Sequence, residues 1–180
     1  MIKGKFIYIR PLVLADIEEC LDFQLRNRTF FEAFAMERPN DFYTIEGQQA
    51  LIKRKIDAAK NDTDYYFGIF LQSTGALIGS IQLFQVIRGS LQSAFIGYFL
   101  DKDHNGKGYT TEAVKLLLKF GFEELKLHRI EAGVMPHNMG SLRVLDKAGF
   151  QKEGIARKNV RINGKWEDHQ VLAIINPLDE

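Results

Sequence analysis

The residues best suited to chemistry lie in the second half of the chain. Asp103-His104-Asn105-Gly106-Lys107-Gly108-Tyr109-Thr110-Thr111-Glu112-Ala113 is a loop with two glycines that runs from a strand-like segment into a helix-like one. Such a loop turns several backbone N–H groups toward one point at the positive end of a helix dipole, which suits a phosphate or diphosphate. No Gly-Lys-Ser/Thr triplet follows, and Thr111 stands where a dinucleotide fingerprint needs a third glycine. Nucleotide hydrolysis and NAD binding both lose ground. Taken alone, the segment reads equally well as a turn that needs two glycines and then Thr110 as an N-cap.

It does not stand alone. One strand later come Pro136-His137-Asn138-Met139-Gly140-Ser141 and then Asp146-Lys147-Ala148-Gly149-Phe150. Asn138 suits an N-cap and Ser141 a first-turn position, so both have a structural reading, although a cap also aims both side chains at the mouth of a site. His104, His128 and His137 lack a metal-ligand spacing such as His-Glu-x-x-His, and no metal is expected. Glu32 and His169 are the remaining candidates for a general base, with His169 more simply the partner of a neighbour such as Asp168. Glu112, in a first helical turn, is explained by the dipole. Cys20 reads as a small buried hydrophobe, because nothing basic accompanies it on its helix face.

The elements that must position these residues follow from periodicity and punctuation. Phe6 to Arg10 is strand-like with Pro11 closing it, and Asp16 opens a helix whose apolar face is Ile17, Cys20, Leu21 and Leu25. Asn27 to Tyr43 carries Phe30, Phe31, Phe34, Phe42 and Tyr43 without a clean period, and is expected to cover something. Thr44 caps a second helix with Ile45, Ile52, Ile56 and Ala59 on one face. Tyr65–Leu71 and Ala76–Val86 form a hairpin about Ser73-Thr74-Gly75, followed by a third antiparallel strand, Leu91 to Leu100. Thr110 to Glu124 is the clearest amphipathic helix, with Ala113, Leu116, Leu117 and Phe120 inward. A strand from Arg129 to Val134, a short helix from Met139 to Ala148 closed by Gly149, and a hairpin of Gln151–Arg161 with Lys165–Ile175 about Asn163-Gly164 complete the chain. The order is α+β: a mixed, mostly antiparallel sheet flanked by helices, with one β-α-β crossover.

Composition bounds what this arrangement serves. The 180 residues are 46% hydrophobic and 26% charged, with no linker, repeat or low-complexity tract, so one domain over 1–180 is expected. The 24 lysines and arginines against 23 acids leave a net charge of +1, which disfavours general nucleic-acid or membrane binding. A basic cluster on the last hairpin, Lys152, Arg157, Lys158, Arg161 and Lys165, reads by default as a solvated face. One cysteine and an N-terminus without a long apolar stretch suggest a cytoplasmic protein.

Gly106-Lys107-Gly108 opening a helix, Asn138-x-x-Ser141 and Lys147-Ala148-Gly149-Phe150 together resemble the GCN5-related N-acetyltransferases (GNAT), which use acetyl-coenzyme A. Arg10-Pro11-Leu12, Asn27-Arg28 followed by Glu37-Arg38-Pro39, and Asn163-Gly164-x-Trp166-x-Asp168-His169 resemble the RimJ/RimL type, which acetylates N-terminal amines of ribosomal proteins. The resemblance implies a splay between the strand ending at Leu100 and the strand Arg129–Val134, with Gly97 and Gly133 accommodating it or, for Gly97, simple packing. The cofactor would lie there against Phe99 and Leu100, its diphosphate on Asn105, Gly106, Lys107, Gly108, Tyr109 and Thr110. Asn138 would lie near the acetyl or pantetheine group, and Ser141 would donate to the departing thiolate. Asp103 replaces the Gln or Arg with which the family motif usually starts, and is expected to point away from the phosphates.

The implied reaction is direct attack by an amine in a ternary complex. A thiol titrates at about 8.5, so its thiolate leaves readily, and an α-amine at about 7.7–8.0 is roughly a tenth neutral at pH 7, against below about a thousandth for lysine. An N-terminal amine therefore needs little base, which matters because Val160 stands where some RimL-type enzymes place a carboxylate. Glu32, Phe34 and Trp166 are the expected acceptor contacts, although a tryptophan buried in its hairpin is the simpler reading. Two alternatives stay open. One is a small amine such as a polyamine or antibiotic, for which Glu32, Glu37 and Asp41 would supply carboxylates; the other is a non-catalytic coenzyme A-binding module. Monomer and homodimer are both compatible with the sequence.

Overall fold

In the computed structural model, which describes residues 1–179, Ile2–Lys3 (β1) and Ile7–Pro11 (β2) pair antiparallel at one border of an eight-stranded sheet. Tyr65–Leu71 (β3), Leu77–Ile87 (β4) and Ser93–Leu100 (β5) continue it as the expected meander. Arg129–Val134 (β6) lies parallel to β5, and the hairpin of Gln151–Ile162 (β7) and Lys165–Ile175 (β8) closes the order β1-β2-β3-β4-β5-β6-β8-β7. Its turn residues Asn163 and Gly164 both have positive φ, at 49° and 76°, which is what a two-residue turn matched to strand twist requires.

The meander buries alternate residues on both faces. Ile69, Ile81, Leu83, Ala94 and Ile96 pack beneath Tyr109–Lys119 (α4) and Met139–Lys147 (α5), while Phe70, Leu77 and Phe99 face Ile17–Arg26 (α1) and Ile45–Lys60 (α3). Thr44 caps α3 as expected, accepting from the Gly47 amide at 3.0 Å. The buried stripe of α1 is rotated from the expected one: Cys20, Phe23 and Gln24 go inward, and Leu25 is 48% exposed. Asn27, the next residue on that stripe, is buried, donates to the Phe23 carbonyl at 2.9 Å and accepts from the Lys102 amide at 3.0 Å, tying the helix end to the segment after β5. The aperiodic aromatic segment contains a short helix, Arg28–Glu32 (α2), that seats Phe31 against Phe23 and Phe99.

Helix α4 begins one residue earlier than expected, with Gly108 rather than Thr110 as its N-cap, and opens into a wider turn at Phe120–Glu124. Glu112 does more than complement the dipole: its carboxylate accepts from the backbone amides of Lys5 and Phe6, fastening the β1–β2 turn to α4.

The sheet parts in its middle. β5 and β6 are bonded only at Ser93–Phe95 against Arg129–Glu131. Beyond that, β5 stays on β4 through Leu100 and β6 stays on β8 through Val134, so the two facing edges have no strand between them. A methyl at Gly97 would sit 3.3 Å from the Phe84 ring, which fits the packing reading, whereas one at Gly133 would meet His169 at an ordinary 3.7 Å.

Candidate functional site

The splay carries the chemistry of an edge strand inside a sheet. Along Ile96–Leu100 and Ala132–Val134 alternate residues present their N–H and C=O to the opening, where no strand pairs with them, and buried N–H and C=O groups require partners. An extended chain with amide groups of its own would pair there.

At the far end of β5 the chain turns through Asp101, whose side chain accepts from the Asp103 amide at 2.9 Å. Asp101 is buried and receives Arg26 Nε at 2.5 Å and Asn27 Nδ2 at 3.3 Å. Burial pushes its carboxyl upward, but these hydrogen bonds prevail and hold it at about 2. Gly106 and Gly108 then adopt φ of +78° and +81°, conformations that favour glycine, with nothing within 4 Å of where a Cβ would sit. Within α4 the first amide with an intrahelical partner is that of Glu112, which donates to Gly108 O at 3.1 Å. The amides of the preceding turn lack one, as at any helix start.

A cleft of about 420 Å³ joins the loop to the splay. Asn105, Gly106, Gly108, Tyr109 and Thr110 line its loop end, and Phe99 and Leu100 its strand wall. Asn138 and Ser141 enter from α5, and Phe30, Phe31 and Phe34 complete the lining, Phe31 packed on Phe99 and Phe34 against His137. Asn138 is the N-cap of α5, its Oδ1 accepting from the Ser141 amide at 3.3 Å, so its structural reading holds while it also faces the cleft. Asp103 is exposed and is not part of the cleft wall. Lys107, an expected cofactor contact, is likewise exposed and absent from the cleft wall.

Other expected contacts fall elsewhere. Glu32 lines a separate cavity of about 500 Å³ with Arg28, Glu37, Arg38 and Tyr43, where it accepts from the Tyr43 hydroxyl at 2.8 Å and from Arg28 Nε at 3.3 Å. Glu37 pairs with Arg161 at 3.1 Å. Trp166 is not buried in its hairpin; it is 57% exposed and borders neither cavity. The reason is topological: β6 pairs with β8 only from Gln170 onward, so residues 165–169 have a strand on one side only. His169 is buried, but its Nδ1 contacts Asn159 Oδ1 at 2.9 Å rather than Asp168, which accepts from the Lys158 amide. Val160 stands directly across from Glu167, which places that carboxylate on the same sheet face.

Tyr98, Arg143 and Lys147 also line the cleft, and none has a site role from the sequence alone. Arg143 and Lys147, one turn apart on α5, bring cations into the cleft. Tyr98, on β5, places its hydroxyl 2.6 Å from Ser141 Oγ, and burial pushes the phenol up to about 12. Among the described residues no cluster of His, Cys, Asp and Glu has the geometry to hold a metal ion, and no helix is long and apolar enough to cross a membrane.

Residues 7–151 match the family model for the acetyltransferase (GNAT) domain. The chain is 64% identical over 180 residues to the probable N-acetyltransferase YjcK of Bacillus subtilis, covering 100% of this chain and 99% of that one. It superposes with a TM-score of 0.92 on the ribosomal-protein-S5-alanine acetyltransferase of Vibrio fischeri, at 30% identity over 97% of this chain and 96% of the other. Mycobacterium smegmatis RimJ, solved in complex with CoA-disulfide, superposes at a TM-score of 0.90 with 28% identity, over 94% and 81%.

Proposed function

This chain belongs to the GNAT acetyltransferase family, and from that premise we propose that it moves acetyl from acetyl-coenzyme A directly to the N-terminal α-amine of a protein, a ribosomal protein being the first candidate. The observation that carries the reading is the parting of β5 from β6 after Phe95 and Glu131, with the left-handed glycine loop at its open end. The free edge of β5 pairs with the amides of the pantetheine arm, and the amides of Gly106 to Thr110 meet the diphosphate at the positive end of α4. Arg143 and Lys147 add positive charge to the same wall.

Ser141 then lies beside the thioester sulfur and stabilises the thiolate as it leaves, while Asn138 fixes the helix turn that carries Ser141. Cys20 takes no part. It is buried, and burial pushes its thiol up to about 12, so an acetyl-enzyme on this residue is not formed and attack is direct.

The second cavity argues against a polyamine. Its carboxylates are matched by arginines, Glu32 with Arg28 and Glu37 with Arg161, and Asp41 is not part of its wall. A polycation would have to displace these pairs, whereas an N-terminal peptide presents one amine that is already partly neutral at pH 7.

Thiol release from acetyl-CoA measured with alanine-initiated peptides, N-terminally blocked lysine peptides and spermidine tests the proposal. Turnover is expected with the free α-amine. Preference for spermidine would transfer the assignment to small amines, and coenzyme binding without turnover would favour a binding module. Asn138→Ala with Ser141→Ala is expected to lower kcat by about ten-fold or more while acetyl-CoA binding changes little.

A further inference from the structure

We infer that Tyr98 is a positioning residue for acetyl transfer: its hydroxyl donates to Ser141 Oγ and so turns the Ser141 hydrogen toward the sulfur that leaves. The inference rests on the acetyl-transfer reading above.

Alternation along β5 places Tyr98 on the face of Ala94, Ile96 and Leu100, beneath α4 and α5, while Phe99 looks to the opposite face. Tyr98 therefore reaches from one arm of the splay to the helix that follows the other arm. Its hydroxyl lies 2.6 Å from Ser141 Oγ and a looser 3.4 Å from the Ser141 carbonyl. Ser141 is held twice, by Asn138 at its amide and by Tyr98 at its hydroxyl. A serine hydroxyl has one hydrogen and two lone pairs and rotates to suit its partners. With a phenol donating into one lone pair, the remaining hydrogen is free to point into the cleft, and a chain of two such bonds strengthens both.

The proton account limits what this chain of bonds does. The C–S bond breaks with its electron pair leaving on sulfur, the amine lone pair forms the new N–C bond, and the surplus amine proton goes to solvent. A thiol titrates at about 8.5, and the buried Tyr98 phenol at about 12. A proton passed from Tyr98 to sulfur would move uphill by roughly three to four decades in equilibrium constant. Tyr98 and Ser141 thus lend hydrogen bonds to the thiolate and keep their own protons.

The test is a double-mutant cycle of Tyr98→Phe and Ser141→Ala, read as steady-state thiol release with an alanine-initiated peptide and as calorimetric binding of coenzyme A. Tyr98→Phe keeps the ring that fills the wall. It is expected to lower kcat by about ten-fold with the KM for acetyl-CoA within about two-fold, and to cost nothing more once Ser141 is alanine. The kcat-pH profiles of wild type and Tyr98→Phe should run parallel below about pH 10, since the phenol does not titrate there. An unchanged kcat, an equal loss in both backgrounds, or a loss confined to coenzyme binding would overturn the inference and leave acetyl transfer standing. A wild type that binds coenzyme A and acetylates no amine in the panel would overturn both.

Discussion

Gly106 and Gly108 were legible as a glycine-dependent turn into a helix, and their left-handed φ values give the reason in backbone terms. Arg143 and Lys147 were not legible as wall residues, since cations on an exposed helix face read as solvated until α5 is seen beside the loop. We predict that Arg143→Gln with Lys147→Gln raises the KM for acetyl-CoA by about ten-fold at low salt with kcat nearly unchanged, an effect that fades as ionic strength rises. A KM independent of both charge and salt would make the two residues ordinary surface cations. Tyr98 was equally hidden: in a strand its alternation marks a half-buried residue, and only the approach of α5 gives its hydroxyl a partner. Trp166 shows the converse, because a hairpin that outruns its neighbouring strand leaves a large apolar residue in water.

Between elements, the end of β5 is tied to α1 by the buried Asp101 with Arg26 and Asn27. The folded carboxyl lies at about 2, below the unfolded value of about 3.9. Its contribution is therefore complete above about pH 4 and disappears as pH falls toward 2, on the order of 2 kcal/mol in all. Asp101→Asn is expected to lower the urea-unfolding free energy by that order near pH 7, with the gap to wild type narrowing near about pH 3. A gap that ignores pH would mean that shape, not charge, makes the clasp. Sequence periodicity located α1 and the strand β5 but not this tie, which depends on residues 75 positions apart meeting through the fold. It also misplaced the start of α4, because threonine is a good cap by type while the left-handed loop hands that position to Gly108.

Across the whole molecule, one sheet supports two opposed cores and parts in its own plane between β5 and β6, so the cleft and the hydrophobic core share the same strands. The order of elements and the mixed sheet could be read from strand runs, turn dipeptides and one crossover. The splay itself came only from family resemblance, since the run of residues along β5 and β6 reads as two ordinary strands. The second cavity, with its paired charges, depends on how the aromatic segment meets the last hairpin, which no local pattern encodes.

The grip of the α4 N-terminus on a diphosphate is tested most directly by titrating coenzyme A calorimetrically into wild type and Thr110→Asp, with unfolding of both proteins followed in parallel. A carboxylate in the first turn favours the helix by about 0.3–1 kcal/mol, yet it would face the phosphates across the cleft that Thr110 lines. Opposite signs are expected: stability equal to or above wild type, and affinity lower by about ten-fold or more. Undiminished affinity in a stable variant would contradict that grip.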